Sequence, residues 1–414
     1  MPSPMPEPTV RHLDSPPASA DVVIVGGGIV GCATAFFAMR AGLHVVVLER
    51  RPALATLTTP ASTGAFRLQF DNPEEIALVR EGVDLFDDFA ERTGLDGWDI
   101  GIHHGGYLFC SLTDATLARS RRLVERQASW GIDDIELLDG DEARHRWPFL
   151  SDAVLGGRYR AADGWLDVKR LALGYAVAAS AARVGDGSAR FCTGVEVTGF
   201  RLSADGSRLA GVETSRGAIA CETAIIATGP FTAQVATLAG VEVVVRPTRR
   251  QKLVIPEMAE IPADAPMVIE EETAAHWRPA MRGCLALWTE ADTPPTPPTD
   301  AVPVDPAWAF GLLDPASDHA LARLTPFWSD VWSRGTLHWF MQAGQYEMTP
   351  DRRPYLGPAG PQGVLLNGGY SGHGVMASAG GSRRVVEMLT GALDPATDPF
   401  RVGRPMDDRE HDIL

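Results

Sequence analysis

The most apolar short stretch near the start of the chain is Val22–Val25, "VVIV", four residues with no polar position among them. Such a run predicts a strand buried on both faces, as inside a parallel sheet. Apolar residues then recur at helical spacing from about Val30 to Arg40, Gly42 stops the helix, and "HVVVLE" returns as a second apolar strand. Strand, helix and strand in close succession predict a βαβ unit with a right-handed crossover.

The period changes further along. "GWLDVKRLALGYAVAASAARVG" predicts a loop and then a helix. From "RFCTGVEV" to "AIIATG" apolar and polar residues alternate, with turns at Asp205-Gly206 and Arg216-Gly217, which predicts a β-meander closing on an apolar strand. "VEVVVRPTRRQKLVIPE" and "RGCLALWTE" read as strands of a different sheet. "EADTPPTPPTDAVPVDP", between Glu290 and Pro306, has no period and predicts an irregular, mobile loop, a candidate lid. Near the end, "VLL" predicts a strand, "NGGYSGHG" a glycine turn, and Val375 to Leu389 a helix.

Composition narrows the classes. A chain of 414 residues, 45% hydrophobic and 22% charged, can bury two cores. A formal charge of −16 argues against nucleic-acid partners and anionic membrane surfaces, and no apolar run is long enough to span a bilayer. The five cysteines form no CxxC pair, which suits reduced thiols in a cytoplasmic protein better than a disulfide framework or a zinc site. Residues 1–20 are rich in Pro and Ser without an apolar core and read as a disordered tail; 401–414 reads as a C-terminal tail.

The chemistry begins with Gly26, Gly28 and Gly31, which form G-x-G-x-x-G between the first strand and the first helix. The first glycine allows the tight turn, the second lets a pyrophosphate approach the backbone, and the third lets helix and strand pack closely. The helix N-terminus, through Ile29 and Val30, then faces the phosphates. Glu49 closes the second strand, with Arg50 behind it, where a carboxylate accepts hydrogen bonds from a ribose. These residues predict dinucleotide binding and leave FAD and NAD undistinguished.

Five further segments occur in a telling order: "TTPASTGAFRLQF", "AADGWLDVKRLALGYA", "AIIATGPFTAQVATLAGVEV", "YEMTPDRRPYLGP" and "GGYSGHGVMASAGG". Together the chain from Asp21 to about Gly391 resembles the FAD-dependent amine oxidoreductases of the D-amino acid oxidase, glycine oxidase and sarcosine oxidase family. The resemblance implies an α/β fold in which a Rossmann-like FAD-binding domain of the glutathione-reductase type (21–100, 160–240 and 341–400) interleaves with an α+β substrate domain on a mixed β-sheet (101–159 and 241–340). It also implies FAD contacts beyond the glycine motif at Ser62, Thr63, Gly64, Val197, Ala227, Thr228, Gly229, Gly369, Gly372, His373, Gly374, Val375 and Met376. Catalysis would involve Arg67, stacked near the flavin, and His373, in a structural or electrostatic role rather than as a base. Substrate would lie beside Gln69, Gln251, Tyr346 and Met376.

The chain departs from its relatives in places. Gly344 stands where some relatives carry an FAD-tethering cysteine, and no histidine lies between Glu49 and Arg67, so non-covalent FAD is expected. Phe70 and Met376 match the basic pair that grips a carboxylate in sarcosine oxidases, and Tyr346 the corresponding arginine of D-amino acid oxidases. Ala286 or a neighbour replaces the lysine that helps oxygen meet reduced flavin.

Other candidates come from the residues alone. In "RPTRRQKL" a strand sends Arg249 and Gln251 to one face and Arg250 and Lys252 to the other; one face is a candidate site for an acidic substrate, and a solvated strand edge accounts for the charges equally well. Trp277, Trp288, Trp308, Trp328, Trp332 and Trp339 fit core packing better than an aromatic cage. No histidine shows metal-ligand spacing.

The implied reaction is oxidation of a C–N bond in a small amine or N-alkyl amino acid, by hydride transfer to flavin N5, with O2 or another carrier as acceptor. Oxidation of a C–OH bond in a 2-hydroxy acid, or service as a flavin-binding subunit of an oligomer or complex, are the alternatives.

Overall fold

A computed structural model describes residues 9–181, 185, 187–290 and 292–406. Two sheets carry the architecture. The first has six strands in the order Tyr355–Pro358, Val364–Gly368, Thr223–Ile226, Val22–Val25, His44–Glu49 and Ser188–Thr193. All neighbours are parallel except the first pair. Val22–Val25 sits at its centre, wholly buried, as the unbroken apolar run required. The helix Ile29–Arg40 packs on this sheet together with Val168–Ser180 and Ser378–Thr390, so it too is apolar nearly all round.

The second sheet has eight strands in the order Phe340–Met348, Arg246–Ile255, Gly283–Leu287, His276–Ala280, Met267–Glu270, Tyr107–Ser111, Gly156–Arg160 and Glu136–Asp139. It is mixed: Met267–Glu270 runs parallel to Tyr107–Ser111 and the other pairs are antiparallel. Side chains alternate across it. Leu253, Ala286, Trp277 and Val268 join a core with Trp308 and Trp328 of the helices Pro306–Leu313 and Phe327–Arg334. The opposite, inner face carries Arg250, Lys252, Tyr346 and Arg278.

Three sequence expectations change. Phe340–Met348, whose residues from 341 onward were assigned to the nucleotide domain, pairs along its whole length with Arg246–Ile255 in the second sheet. Ser188–Thr193 joins the parallel sheet beside His44–Glu49, leaving a three-stranded meander of Val197–Leu202, Leu209–Thr214 and Gly217–Ile219. Part of the expected disordered tail is pinned: Leu13 N–H donates to the Phe191 carbonyl and Ala20 N–H to that of Ala220. Among the described residues no helix is long and apolar enough to cross a membrane.

Candidate functional site

A cavity of about 460 Å³ opens between the two sheets, and its floor is the glycine turn after Val25. Each glycine meets a different constraint. Gly26 has φ of 110°, and a side chain there would collide with the Ala227 carbonyl. One at Gly31 would collide with the carbonyl of Gly26. At Gly28 the backbone is ordinary extended chain (φ −75°, ψ −176°), and an added Cβ would meet only Thr59 Oγ1, at 3.7 Å. Gly28 therefore leaves room for a ligand, not for the protein's own packing.

The helix N-terminus above this turn has no acidic residue in its first turn, and Thr59 Oγ1 accepts the Ile29 N–H at 3.2 Å. Glu49 at the end of its strand accepts Gly27 N–H at 2.7 Å and Arg51 N–H at 2.8 Å. Burial raises its pKa above the ordinary carboxylate value despite these bonds and the nearby Arg50 and Arg51. A helix N-terminus free of acidic residues, a glycine cradle and a carboxylate at the strand end fit a dinucleotide: pyrophosphate on the helix, ribose on Glu49.

The expected FAD contacts divide cleanly. Gly26, Gly28, Ile29, Val30, Glu49, Arg50, Ser62 and Thr63 border the cavity, as do Val197, Ala227, Thr228, Gly229, Gly372, Gly374 and Val375. Five others do not border it. Gly31 and Gly64 support the turns from behind, Gly64 with φ of 71° against the Leu166 carbonyl. Gly369 packs on Thr349 and Tyr355, and Met376 is core, its carbonyl touching Gly82. His373 turns away: its ring meets Phe70 edge-on at 5.0 Å and its Nδ1 lies 3.5 Å from buried Glu75. The late helix starts at Ser378 and not at Val375, and the His373 N–H already donates to the Tyr370 carbonyl. That amide is thus spent inside the turn.

Of the expected substrate residues, Tyr346 and Gln251 border the cavity and Gln69 and Met376 do not. Gln69 is fully buried in a polar network, accepting from Arg158 at 2.8 Å and donating to Asp163 at 3.0 Å. Arg67 lies beneath the inner face, 5.0 Å from the Phe70 ring and 5.7 Å from that of Phe109, and does not border the cavity. None of the six tryptophans borders it either; Trp277, Trp308 and Trp328 fill the core on the outer face.

Three residues that border the cavity, Arg250, Gln251 and Thr228, each have a buried polar side-chain atom without a partner. Arg250 has an Nε without a partner, forms no ion pair among the described residues, and lies 5.8 Å from the Tyr346 ring; burial pulls its pKa below the usual guanidinium value. Gln251 accepts Asp305 N–H at 2.6 Å through Oε1, while its Nε2 is unpartnered. Tyr346 lies half-buried against Gly372 and beside Arg250, and desolvation raises its pKa. Toward the strand Gly283–Leu287 the cavity meets Leu287, whereas Ala286 faces the outer core.

Sequence reading missed Glu347. It borders the cavity, is 9% exposed, and is approached by the backbone amides of Gly369 and Tyr370 without a cationic partner. Burial raises its pKa from 4.5 to about 7. The folded chain therefore holds a proton that the unfolded chain releases from about pH 4.5 upward, so this group's contribution is favourable at low pH and is lost as pH rises through 7. The Glu347→Gln variant is expected to match the wild type near pH 4 and to exceed its unfolding free energy at pH 8 by up to about 3 kcal/mol. Denaturation midpoints at the two pH values check this.

The loop after Glu290 is irregular, as expected, but held. Gln345 Nε2 donates to Thr296 Oγ1 and the Pro297 carbonyl at 2.9 and 2.8 Å, and Thr299 N–H returns to its Oε1 at 2.9 Å. Asp300 pairs with Arg50 and Arg51 at 2.6 and 3.1 Å. No group of metal-binding residues is present among the described residues.

Comparison with known proteins agrees with this geometry. Residues 21–388 match the family model described as FAD dependent oxidoreductase. Mouse mitochondrial sarcosine dehydrogenase is 27% identical over 88% of this chain, which spans about two fifths (39%) of that relative's length. The Xenopus laevis FAD-dependent oxidoreductase domain-containing protein 1 is 26% identical over 91% of the chain and 80% of its own length. Among solved structures, L-proline dehydrogenase from P. horikoshii superposes with a TM-score of 0.78 at 22% identity, covering 93% of this chain and 96% of that one. The match across most of the chain, with the glycine cradle and carboxylate in place, identifies it as a member of the FAD-dependent oxidoreductase family.

Proposed function

We propose that this protein oxidises the C–N bond of a small amine or N-alkyl amino acid bearing an anionic group, using FAD held without a covalent bond. The observation that carries the substrate class is Arg250, a cavity arginine that forms no ion pair among the described residues, on the inner face of the sheet beside Tyr346. A half-buried guanidinium that forms no ion pair among the described residues keeps its charge available, and a bound carboxylate can pair with it in a two-pronged geometry. Relatives are named for sarcosine, dimethylglycine and D-amino acids, all small amines bearing a carboxylate.

When bound, FAD supplies a two-electron acceptor. The chain's task is placement: Arg250 and Tyr346 anchor the substrate at the sheet end of the cavity, and Leu287 and Val375 shield it from water. Loss of hydride from the α-carbon leaves an imine, which water hydrolyses. A neutral amine enters this chemistry without a base, consistent with His373 facing Glu75. Among the described residues no cysteine or histidine borders the cavity, which supports a non-covalent cofactor. Five unpaired, buried cysteines suit a reducing cytoplasm.

Anaerobic mixing of the yellow protein with N-alkyl amino acids, simple amines and 2-hydroxy acids tests the reading. Bleaching by the amino acids is expected. Bleaching only by hydroxy acids, or by none of them, contradicts it. Acid precipitation is expected to leave the colour in the supernatant, and a yellow pellet contradicts the non-covalent assignment.

A further inference from the structure

Two buried cations on the inner face of the eight-stranded sheet are unused by the mechanism above. The strand register places them together: Val254 opposes Leu285, Leu285 opposes Arg278, and Lys252 is two residues from Val254 on the same face. Lys252 is 4% exposed and Arg278 7%. Neither forms an ion pair among the described residues. Both donate to backbone carbonyls of the 60–63 turn. Lys252 Nζ donates to the Ser62 carbonyl at 2.8 Å and the Pro60 carbonyl at 3.3 Å. Arg278 donates to the Thr63 carbonyl through both Nε, at 3.1 Å, and Nη2, and to the Pro279 carbonyl at 2.8 Å.

This turn is the wall of the cofactor cavity, to which Ala61, Ser62 and Thr63 contribute. Burying two like charges against neutral carbonyls is an expensive way to fix a loop, since a hydroxyl or amide makes the same bonds without the desolvation cost. Burial, and then Arg278, hold the Lys252 pKa down to about 8, so the charge is kept against resistance. What a neutral donor would not supply is the positive field itself. A cation on the Ser62 carbonyl also polarises the peptide it shares with the Thr63 N–H, making that amide, at the cavity wall, a stronger donor.

We propose that Lys252 and Arg278 are positioning residues for the flavin: they hold the 60–63 turn by its carbonyls and place positive charge behind it, stabilising the ring as it gains negative charge on reduction. The proposal rests on FAD occupying this cavity and is independent of which bond is oxidised. Charge fixed in a low-dielectric wall acts on the ring without reorganisation when electrons arrive.

Sulfite is the probe, because it adds to oxidised flavin and leaves the ring anionic, so its affinity reads the surrounding positive charge without any substrate. The Lys252→Met variant of the FAD-loaded protein is expected to bind sulfite about tenfold more weakly, with the two-electron potential lower by about 30 mV. The Lys252→Arg variant is expected to restore both. Thermal melting and FAD content establish that each variant is folded and loaded. If the folded, loaded methionine variant keeps sulfite affinity and potential within twofold of wild type, the proposal is overturned and the lysine only packs the turn. If it loses FAD altogether, Lys252→Gln, which keeps a donor to the carbonyls, decides: unchanged sulfite affinity there overturns the role of charge. A wild-type protein that binds no FAD would instead contradict the cavity assignment.

Discussion

The Gly28→Val variant is expected to fold and melt like the wild-type apoprotein while losing at least 100-fold in FAD affinity, about 2.7 kcal/mol. The reasoning is local. Gly28 has backbone angles open to any residue, so the substitution brings no strain. The new side chain meets no backbone and only one hydroxyl at a relaxed distance, so the fold has room for it. That room is the path by which a pyrophosphate reaches the helix N-terminus, and two methyl groups would fill it. The Gly31→Val variant provides the contrast. There the side chain would run into the Gly26 carbonyl, and the βαβ unit itself should lose stability. Calorimetric FAD titration with thermal melting separates the two effects. Equal FAD affinity in Gly28→Val and wild type would show that the turn does not hold the cofactor.

The second large effect concerns Arg250. The Arg250→Met variant is expected to lower kcat/KM for an anionic amine by about 1000-fold, near 4 kcal/mol, and for an uncharged amine of similar size by less than tenfold. The methionine fills similar volume, and no ion pair is broken because the arginine forms none among the described residues. Arg250→Lys should recover only part of the loss, since an ammonium cannot grip a carboxylate with two parallel hydrogen bonds. Steady-state kinetics on the paired substrates checks this. Equal losses on both would mean that Arg250 shapes the cavity and does not recognise charge.

The features readable from sequence were those whose causes are local. "VVIV", the three glycines and Glu49 lie within one βαβ unit, so spacing alone placed them on strand, turn and helix as observed. The strand parity of "RRQKL" likewise put Arg250 and Lys252 on one face, and both lie on the inner face of the sheet. What escaped depended on distant partners. Phe340–Met348 joins the second sheet because Arg246–Ile255, far earlier in the chain, offers a full-length ladder. Gln69 was expected at the substrate, but Arg158 and Asp163, brought in by another strand and its following turn, claim its amide. His373 is drawn to Glu75, on the helix Pro73–Asp87, a neighbour that spacing along the chain cannot reveal. Glu347 carried a faint signal, a carboxylate in "QYEM" with no adjacent base, though only its burial by the late glycine turn raises its pKa.

The central claim, that FAD in this cavity takes electrons from a C–N bond, is tested most directly by analysing the product of one anaerobic turnover. The wild-type holoenzyme is titrated with the N-alkyl amino acid that bleaches it fastest. The prediction is one equivalent of carbonyl product and one of dealkylated or free amine for each flavin reduced. Complete bleaching with the C–N bond intact, or bleaching matched only by oxidation of a hydroxyl group, would contradict it.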